Sequence, residues 1–345
     1  MPTVTICSFN VEWMNDWFTA DADPVAFRPT FERDGHTSNT IQTAIRTAGL
    51  IRAVDADVLA IEEGPSRTAE LGLFVQDYLS DNGEPLYDFF LSDSGAQQRV
   101  GLLYKRGSVD SAQFAPHSDI ADLIDPWQTD VDGDGVLDEY DFTRTPLVIE
   151  LTIGGNAFQI IVMHTKSNFI NKGESLWKNE ATRQQYVVAA LKNRRRISTE
   201  GMRVRTYLDA RLGEDVTSRI VVLGDLNDGP GLDYFEEIYL SHNVTDIMIG
   251  SAFEPEWTFA HAQHDVPVDD RYTAVFDDFV TEEKDKHVLL DHILLSPGLT
   301  QGGLKKVPDS GRVRHAEYDA QVVNGGANRE DRPSDHRPVS VELEY

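Results

Sequence analysis

The sequence predicts a single α/β domain, and three observations support this. Predicted strands and helices alternate along the whole 345-residue chain. The chain opens with a strand, a helix and a strand, and two later strands are separated only by Gly154-Gly155-Asn156, which predicts an antiparallel hairpin. The sequence contains no internal repeat, low-complexity tract or Pro/Gly/Ser-rich linker. We therefore expect one domain over residues 1–345.

The individual elements are predicted from hydrophobic periodicity, because apolar runs or alternation indicate strands and a spacing of three and four indicates helices. The predicted strands are residues 3–12, 57–63, 99–107, 147–153, 157–164, 219–227, 287–296 and 338–345. The predicted helices are residues 38–54, capped by Ser38 or Asn39, and residues 180–212 and 232–241. Residues 110–141 and 252–285 are predicted to be long irregular insertions, which are commonly functional or stiffened by ions.

Composition narrows the class of function. The formal net charge of −27 argues against broad attraction to nucleic acid or anionic membranes. The basic run at residues 192–196 is interpreted as a solvated helix face, with a phosphate-tracking surface as the alternative. Neither a membrane span nor a signal peptide is predicted, so a cytoplasmic location is the default expectation, or a secreted or periplasmic one if a leader has been removed. The single cysteine, Cys7, excludes an internal disulfide.

Polar side chains follow the apolar runs directly at six places. They are Asn10, Glu62 with Glu63, His164, Asp225 with Asn227, Asp291 with His292, and Asp335 with His336. Strand ends gather catalytic groups in α/β folds because the sheet fixes the backbone while the following loop exposes the side chain. Each residue alone has an ordinary explanation, such as a turn, a cap or a hydrogen-bonded core histidine. As a set of oxygen ligands and imidazoles, they indicate one functional site if the strands are neighbours.

The motifs SFNVEW, DVLAIEE, VMHTKS, GDLND, LLDHILLS and SDHRPV occur in this order from about residue 4 to the C-terminus. In order and separation they resemble the endonuclease/exonuclease/phosphatase superfamily, typified by DNase I-like enzymes. The resemblance implies a four-layer α/β (α+β) sandwich, with two central and mostly antiparallel sheets flanked by helices. It also implies hydrolysis of phosphodiester bonds that depends on a divalent metal, Mg²⁺ or Mn²⁺.

The resemblance assigns the metal to Asn10 and Glu63, with Asp335 as a further acid near it. Glu63 is preferred to Glu62 because Glu62 stands where the family usually has Gln. Carboxylate and amide oxygens are the ligands that Mg²⁺ prefers, which agrees with this assignment.

The resemblance also assigns catalytic roles. His164 would contact the scissile phosphate or protonate the leaving oxygen, and Asp225 and Asn227 would position the attacking water and the phosphate. His336 would be the general base or a phosphate ligand, oriented by Asp291. A carboxylate partner fixes the tautomer of an imidazole and supports its protonated form, so proton transfer near neutral pH is expected. His336 and Asp225 remain alternative proton acceptors.

Two further segments are similar to substrate-contacting segments of nuclease-like members. They make Lys166, Asn168, Arg271 and Tyr272 candidates for substrate binding. We therefore expect a nuclease that acts on DNA or RNA. A sphingomyelinase-like lipid phosphodiesterase and a phosphatase of inositol or other small phosphoesters are alternatives, as is a non-catalytic calcium-binding interaction protein.

The stretch TDVDGDGVLDEYD has the spacing of an EF-hand calcium loop, with Gly135 at the sharp turn. Its expected oxygen ligands are Asp130, Asp132, Asp134, the Val136 carbonyl, Asp138 and Asp141. Pro126 precedes the loop and a predicted strand follows it, so the helix pair of a calcium sensor is not expected. The sequence predicts a structural Ca²⁺, with an unoccupied acidic turn as the alternative.

Overall fold

The computed structural model describes residues 1–33, 36–93, 97–131, 133–300 and 303–345. The helices are α1 (Thr40–Val54), α2 (Thr68–Tyr78), α3 (His117–Ile124), α4 (Gly173–Lys178), α5 (Arg183–Glu214), α6 (Tyr234–Tyr239), α7 (Val244–Ile249) and α8 (His315–Asp319). The strands are β1 (Thr3–Asn10), β2 (Thr30–Arg33), β3 (His36–Asn39), β4 (Val58–Gly64), β5 (Ser80–Asp81), β6 (Glu84–Pro85), β7 (Tyr87–Leu91), β8 (Arg99–Lys105), β9 (Ser111–Phe114), β10 (Trp127–Thr129), β11 (Asp138–Tyr140), β12 (Leu147–Ile153), β13 (Asn156–His164), β14 (Ile220–Asp225), β15 (Ala260–His261), β16 (Ala274–Asp278), β17 (Glu283–Val288), β18 (Asp291–Leu295), β19 (Lys305–Lys306), β20 (Arg312–Val313) and β21 (Val339–Glu344). Among these described ranges, every helix is too short or too polar to cross a bilayer.

Two large sheets form the centre of the molecule. The first has the order β19-β21-β1-β4-β8-β7, with β20 also paired to β21, and the second has the order β15-β18-β14-β13-β12-β9. Pairing is antiparallel except for one parallel pair in each sheet, β1 with β4 and β13 with β14. The mostly antiparallel character expected of both sheets is confirmed.

The apolar side chains form layers around these sheets. One core cluster joins the inner faces of the two sheets, as shown by Ile6 and Val341 packed with Ile160 and Val221. A second cluster packs α1 and α2 on the outer face of the first sheet, and a third packs α5 and α7 on the outer face of the second. The order helix, sheet, sheet, helix is the four-layer sandwich that the resemblance implies.

Most predicted elements are present with shifts of a few residues at their ends. Helix α1 begins after Asn39, whose side chain accepts a hydrogen bond from the backbone N–H of Gln42 at 3.0 Å, so Asn39 and not Ser38 is the cap. The single strand predicted at residues 287–296 is wrong, since the chain leaves β17 and enters β18 in another sheet. Between these two strands the backbone of Leu290 bonds to Thr273 and Leu226, which breaks the run.

The segment at residues 110–141, expected to be irregular, is largely ordered. It contributes β9 to the edge of the second sheet, then α3, and then the hairpin of β10 and β11. The predicted calcium loop is the turn of that hairpin, and Asp132 lies outside the described residues. Asp130 accepts hydrogen bonds from the backbone N–H groups of Gly133 at 2.8 Å and Gly135 at 2.9 Å. The loop therefore closes on itself between two strands and has no flanking helix pair to open.

Candidate active site

Strand pairing places the predicted residues at one edge of the two sheets. Asn10 ends β1, and β4 runs parallel to it, so the acids at the end of β4 lie beside Asn10. In the second sheet, His164 ends β13 opposite Asp225, which ends β14. Asp291 begins the antiparallel strand β18 directly opposite Asp225. His336 lies just before β21, the neighbour of β1.

Gly224 makes the close approach of β13 and β14 possible. Its φ of +140° is a conformation that glycine adopts most easily, and a Cβ at this position would lie 1.8 Å from the carbonyl oxygen of Met163. The glycine of the GDLND motif is thus required to bring Asp225 next to His164.

Asp225 is the central group of the site, and its side chain is 2% exposed. Its Oδ2 accepts a hydrogen bond from Nδ2 of Asn10 at 2.9 Å and lies 3.5 Å from Nε2 of His164 and 4.0 Å from Nε2 of His336. Its Oδ1 accepts the backbone N–H of Asn227 at 2.8 Å. One buried carboxylate therefore connects four of the predicted residues.

His336 and Asp291 form a buried pair, with 2.7 Å between Nδ1 of the imidazole and Oδ2 of the carboxylate. Burial alone would lower the pKa of His336, but the charges of Asp291 and Asp225 outweigh it and hold that pKa well above its ordinary value. Burial, together with the nearby Asp291, raises the pKa of Asp225 to about 6, against the opposing effect of His336. The site therefore holds acid–base groups whose proton affinities depend on one another.

The two consecutive glutamates have different surroundings because the register of β4 shifts near its end. Glu62 is completely buried and accepts a hydrogen bond from Ser8 Oγ at 2.9 Å, and burial raises its pKa well above the ordinary value. Glu63 has a φ of +54° and is partly exposed. Its Oε1 lies 3.5 Å from Nδ2 of Asn10, and its Oε2 accepts the backbone N–H of Trp13 at 2.8 Å. Of these two glutamates, Glu63 is the one that contacts Asn10 as a partly exposed carboxylate.

His164 is buried, and its Nδ1 has no hydrogen-bond partner among the described residues. Burial and the nearby Arg144 lower the pKa of His164 well below its ordinary value, so the ring is neutral. In the following segment, Lys166 is half-buried and Asn168 Nδ2 donates to the Asn227 carbonyl at 2.9 Å. These two predicted substrate residues therefore lie next to the buried cluster.

Arg144 is a member of the site that the sequence analysis missed. Its guanidinium donates to the Thr165 carbonyl at 3.1 Å and to Oε1 of Gln98 at 2.5 Å, and it lies within the electrostatic range of Glu63 and Asp225. Arg144 precedes the apolar strand β12, and a single arginine before a strand does not form a recognisable sequence motif. The only available sequence signal was a basic residue next to a strand end.

Four other predicted residues make contacts away from Asp225. The Asp335 backbone N–H donates to Oε2 of Glu12 at 3.0 Å, and its side chain lies 3.4 Å from Ser334 Oγ. The Arg271 guanidinium donates to the backbone carbonyls of residues 264 and 266. Tyr272 stacks on His287, with ring centroids 3.7 Å apart. His292 points to the other side of β18, where its ring nitrogens bond to His261 and to the Asp228 carbonyl.

The donor set suits a divalent cation. Asp225, Asp291 and His336 each bring one ligand atom within 4.8 Å of the others. Oδ1 of Asp291 is buried and has no hydrogen-bond partner among the described residues. Carboxylates gathered in a low-dielectric site repel one another, and a bound cation removes that repulsion. The chemistry of these side chains therefore fits a divalent cation.

A second buried acidic cluster lies behind the site, next to the GDLND motif. Asp228 accepts the backbone N–H of Val244 at 2.7 Å, and Glu236 accepts the backbone N–H of Asp233 at 2.9 Å. Burial and the charge of Asp228 raise the pKa of Glu236 to about 8, although Arg194 opposes the shift. Glu236 is therefore largely protonated in the folded protein at neutral pH.

This raised pKa predicts a pH-dependent effect of Glu236→Gln. Between the ordinary pKa of 4.5 and about 8, the native state holds a proton that the unfolded state releases, so stability falls as pH rises through this window. Glutamine does not ionise, and we expect the variant to gain roughly 2 kcal/mol of unfolding free energy relative to wild type between pH 5 and pH 8. Denaturant titrations at the two pH values measure this gain. The exposed neighbour Glu237→Gln is the control, and an equal change in both variants contradicts the assignment.

Comparisons with known proteins agree with this architecture. A model of the Endonuclease/Exonuclease/phosphatase family matches residues 7–336. No curated protein sequence matches the chain. The fold is similar to a solved endonuclease/exonuclease/phosphatase from Bacteroides vulgatus, with 14% identity, a TM-score of 0.53 and coverage of 100% of this chain and 99% of that one. It is also similar to humanized D. rerio TDP2, with 12% identity, a TM-score of 0.52 and 99% of both chains covered. A third similar structure is D. rerio TDP2 complexed with single strand DNA product, with 11% identity, a TM-score of 0.51 and 99% of both chains covered. Because the family model spans nearly the whole chain, this protein belongs to the endonuclease/exonuclease/phosphatase family.

Proposed function

We propose that this protein is a divalent-metal-dependent phosphodiesterase, and specifically a nuclease that cleaves DNA or RNA. The observation that carries the proposal is the buried group of Asp225, Asp291 and His336, in which a hydrogen-bonded imidazole–carboxylate pair lies 4.0 Å from a second carboxylate. Phosphodiester hydrolysis needs both proton transfer and neutralisation of charge on the phosphate oxygens. The family membership and the DNA product bound by the similar D. rerio TDP2 support this choice of substrate.

Asn10 and Glu63 would hold the Mg²⁺ or Mn²⁺, with Asp335 as a further acid in its vicinity. When bound, the cation supplies positive charge that stabilises the phosphate oxygens and lowers the pKa of nearby groups. Glu63 suits this role because its carboxylate is partly exposed and faces Asn10.

The remaining residues would position and transfer protons. Asp225 and the amide of Asn227 orient the attacking water and the phosphate. His336, held by Asp291, accepts the proton of that water from its neutral form, which the positive charge of a bound cation favours by lowering the pKa of the imidazole. Neutral His164 offers an uncharged imidazole to a phosphate or leaving oxygen. No nucleophilic side chain is required, because water attacks directly.

A substrate panel tests this proposal. Plasmid DNA, RNA, bis(p-nitrophenyl) phosphate, sphingomyelin and small phosphomonoesters are incubated with Mg²⁺, Mn²⁺ or Ca²⁺. The proposal expects turnover of nucleic acid and of the synthetic diester with Mg²⁺ or Mn²⁺. Preference for the small or lipid substrates is the second candidate outcome, and the net charge of −27 favours a small substrate. Inertness on every substrate would leave the non-catalytic calcium-binding alternative.

We also propose that the turn of the β10–β11 hairpin binds a structural Ca²⁺. Asp130 already orders the turn through two backbone N–H groups, and Asp134 accepts the backbone N–H of Val136 at 2.7 Å. Asp141, at the end of the loop, pairs with Arg196 of α5 at 2.6 Å, so the loop is attached to a helix of the main fold.

Removal of two loop acids tests this calcium site. We expect Ca²⁺ to raise the Tm of wild type but not of Asp132→Asn with Asp134→Asn, because ions that bind only the folded state stabilise it by mass action. Differential scanning fluorimetry with and without Ca²⁺ measures the shift. Asp269→Asn with Asp270→Asn removes the same charge from another exposed segment and is expected to keep the wild-type response. Turnover per folded molecule stays near wild type in both, and its loss in the loop variant alone would place the Ca²⁺ in the active site.

A further inference from the structure

A groove lies outside the catalytic cluster, between the β10–β11 hairpin and helix α5, and its volume is about 800 Å³. Tyr140 belongs to its hairpin wall, and Lys192, Arg195 and Arg196 belong to its helix wall. Lys166 also lines the groove, and it lies two residues after His164, the last residue of β13. The basic run singled out in the sequence therefore lines a groove and is not simply a solvated face.

A buried glutamate joins this groove to the catalytic cluster. Glu200 of α5 is completely buried and accepts the backbone N–H groups of Thr143 and Lys166, each at 2.9 Å. Thr143 precedes Arg144, whose guanidinium bonds to the Thr165 carbonyl at 3.1 Å. The two backbone segments that contain Thr143 and Lys166 therefore contribute both to the groove and to the active site.

The groove is locally positive in a strongly acidic protein. Among the described residues, four cationic side chains line it, Lys166, Lys192, Arg195 and Arg196, against two acidic ones, Asp138 and Asp141. Arg196 already pairs with Asp141 at 2.6 Å. Lys192 and Arg195 are exposed and form no ion pair with any carboxylate in the described part of the chain. Two unpaired cations on one wall attract a polyanion in spite of the net charge of −27.

An exposed aromatic residue, Phe169, belongs to the segment that joins the groove to the catalytic residues. Phe169 is 73% exposed, and its carbonyl accepts a hydrogen bond from Asn193, a groove residue, at 3.3 Å. The preceding residue, Asn168, bonds to the Asn227 carbonyl at 2.9 Å. Exposed aromatic rings beside a cationic groove stack on unpaired bases of nucleic acids.

We propose that this groove binds a single-stranded nucleic acid beside the scissile phosphate, with Lys192 and Arg195 contacting its phosphates and Phe169 stacking on a base. The inference rests on the proposed nuclease function and specifies its substrate. A volume of about 800 Å³ is that of a small-ligand cleft, which accommodates a short stretch of one strand and not a duplex. A base that stacks on Phe169 must also be unpaired.

A charge-removal experiment tests the groove. Lys192→Ala with Arg195→Ala is compared with Lys178→Ala and Arg211→Ala, a control that removes the same charge from two exposed ion pairs outside the groove. Fluorescence anisotropy measures the binding of a labelled single-stranded oligonucleotide of about 12 residues and of the corresponding duplex. All proteins carry His336→Ala so that the probe is not consumed. In proteins that retain His336, hydrolysis of the oligonucleotide is compared with that of bis(p-nitrophenyl) phosphate, which is too short to enter the groove.

The groove variant is expected to bind the single strand about tenfold more weakly than its parent. Because two phosphate contacts are lost, the slope of log affinity against log salt concentration is expected to become less steep by about 1.4. The variant's ratio of oligonucleotide to synthetic-diester hydrolysis is expected to fall to a similar extent, whereas the control keeps the parental affinity and ratio. Equal affinity in groove variant and control, or binding of duplex as tight as that of single strand, overturns the inference. If the wild type hydrolyses neither substrate with Mg²⁺ or Mn²⁺, the proposed function itself fails. This result differs from failure of the groove inference, in which the wild type hydrolyses both substrates but the groove variant binds as tightly as the control.

Discussion

Replacing His336 with alanine is expected to lower kcat for phosphodiester hydrolysis by about 10²- to 10⁴-fold, the usual contribution of a positioned acid–base group. His336 is buried, lies 2.7 Å from Asp291 and 4.0 Å from Asp225, and has a pKa raised by both carboxylates. Steady-state kinetics on bis(p-nitrophenyl) phosphate measure the loss.

Two comparisons make this result specific. His264→Ala removes an exposed imidazole and is expected to leave the rate within about twofold of wild type. Added imidazole is expected to restore part of the activity of His336→Ala, because it can occupy the space of the missing ring. If His336→Ala folds and keeps the wild-type rate, His336 has no part in proton transfer.

Glu63→Gln is expected to weaken activation by Mg²⁺ by at least about 100-fold if Glu63 is the proposed metal ligand, since removing a ligand costs no less than removing a residue that supports one. Glu62→Gln is the matched control at the adjacent position. Glu62 is completely buried, burial raises its pKa well above the ordinary value, and glutamine can still accept the hydrogen bond from Ser8.

The activation of each variant is measured as initial rate against Mg²⁺ concentration after chelation. The assignment requires the loss to occur at Glu63 and not at Glu62. A larger loss of Mg²⁺ activation in Glu62→Gln than in Glu63→Gln would assign the metal to Glu62. Equal losses in the two variants would indicate that both substitutions disturb the end of β4.

The sequence predicted much of the fold because its signals are local. An apolar run followed at once by a polar residue predicted that β13 ends at His164, and the strand does end there. The strand predicted at residues 219–227 is present as β14 but ends two residues earlier, at Asp225. The Gly154-Gly155-Asn156 turn predicted the β12–β13 hairpin. The four-layer arrangement came from the ordered motifs, since no single element specifies how two sheets pack.

The features that were missed depend on contacts between distant segments. Arg144 joins the site through Gln98, which is 46 residues away in the chain, and no local pattern marks such a contact. The break between β17 and β18 follows from hydrogen bonds of Leu290 to Thr273 and Leu226. The groove beside Lys192 exists only because the hairpin packs across from α5, so a basic run alone could not distinguish it from a solvated face.

The most direct measurement is the rate of bis(p-nitrophenyl) phosphate hydrolysis after chelation and after metal is added back. The arrangement of Asn10, Glu63, Asp225 and His336 predicts that EDTA reduces the rate to background and that Mg²⁺ or Mn²⁺ restores it. A rate that is the same in EDTA and in Mg²⁺ would contradict a metal-dependent phosphodiesterase at this site.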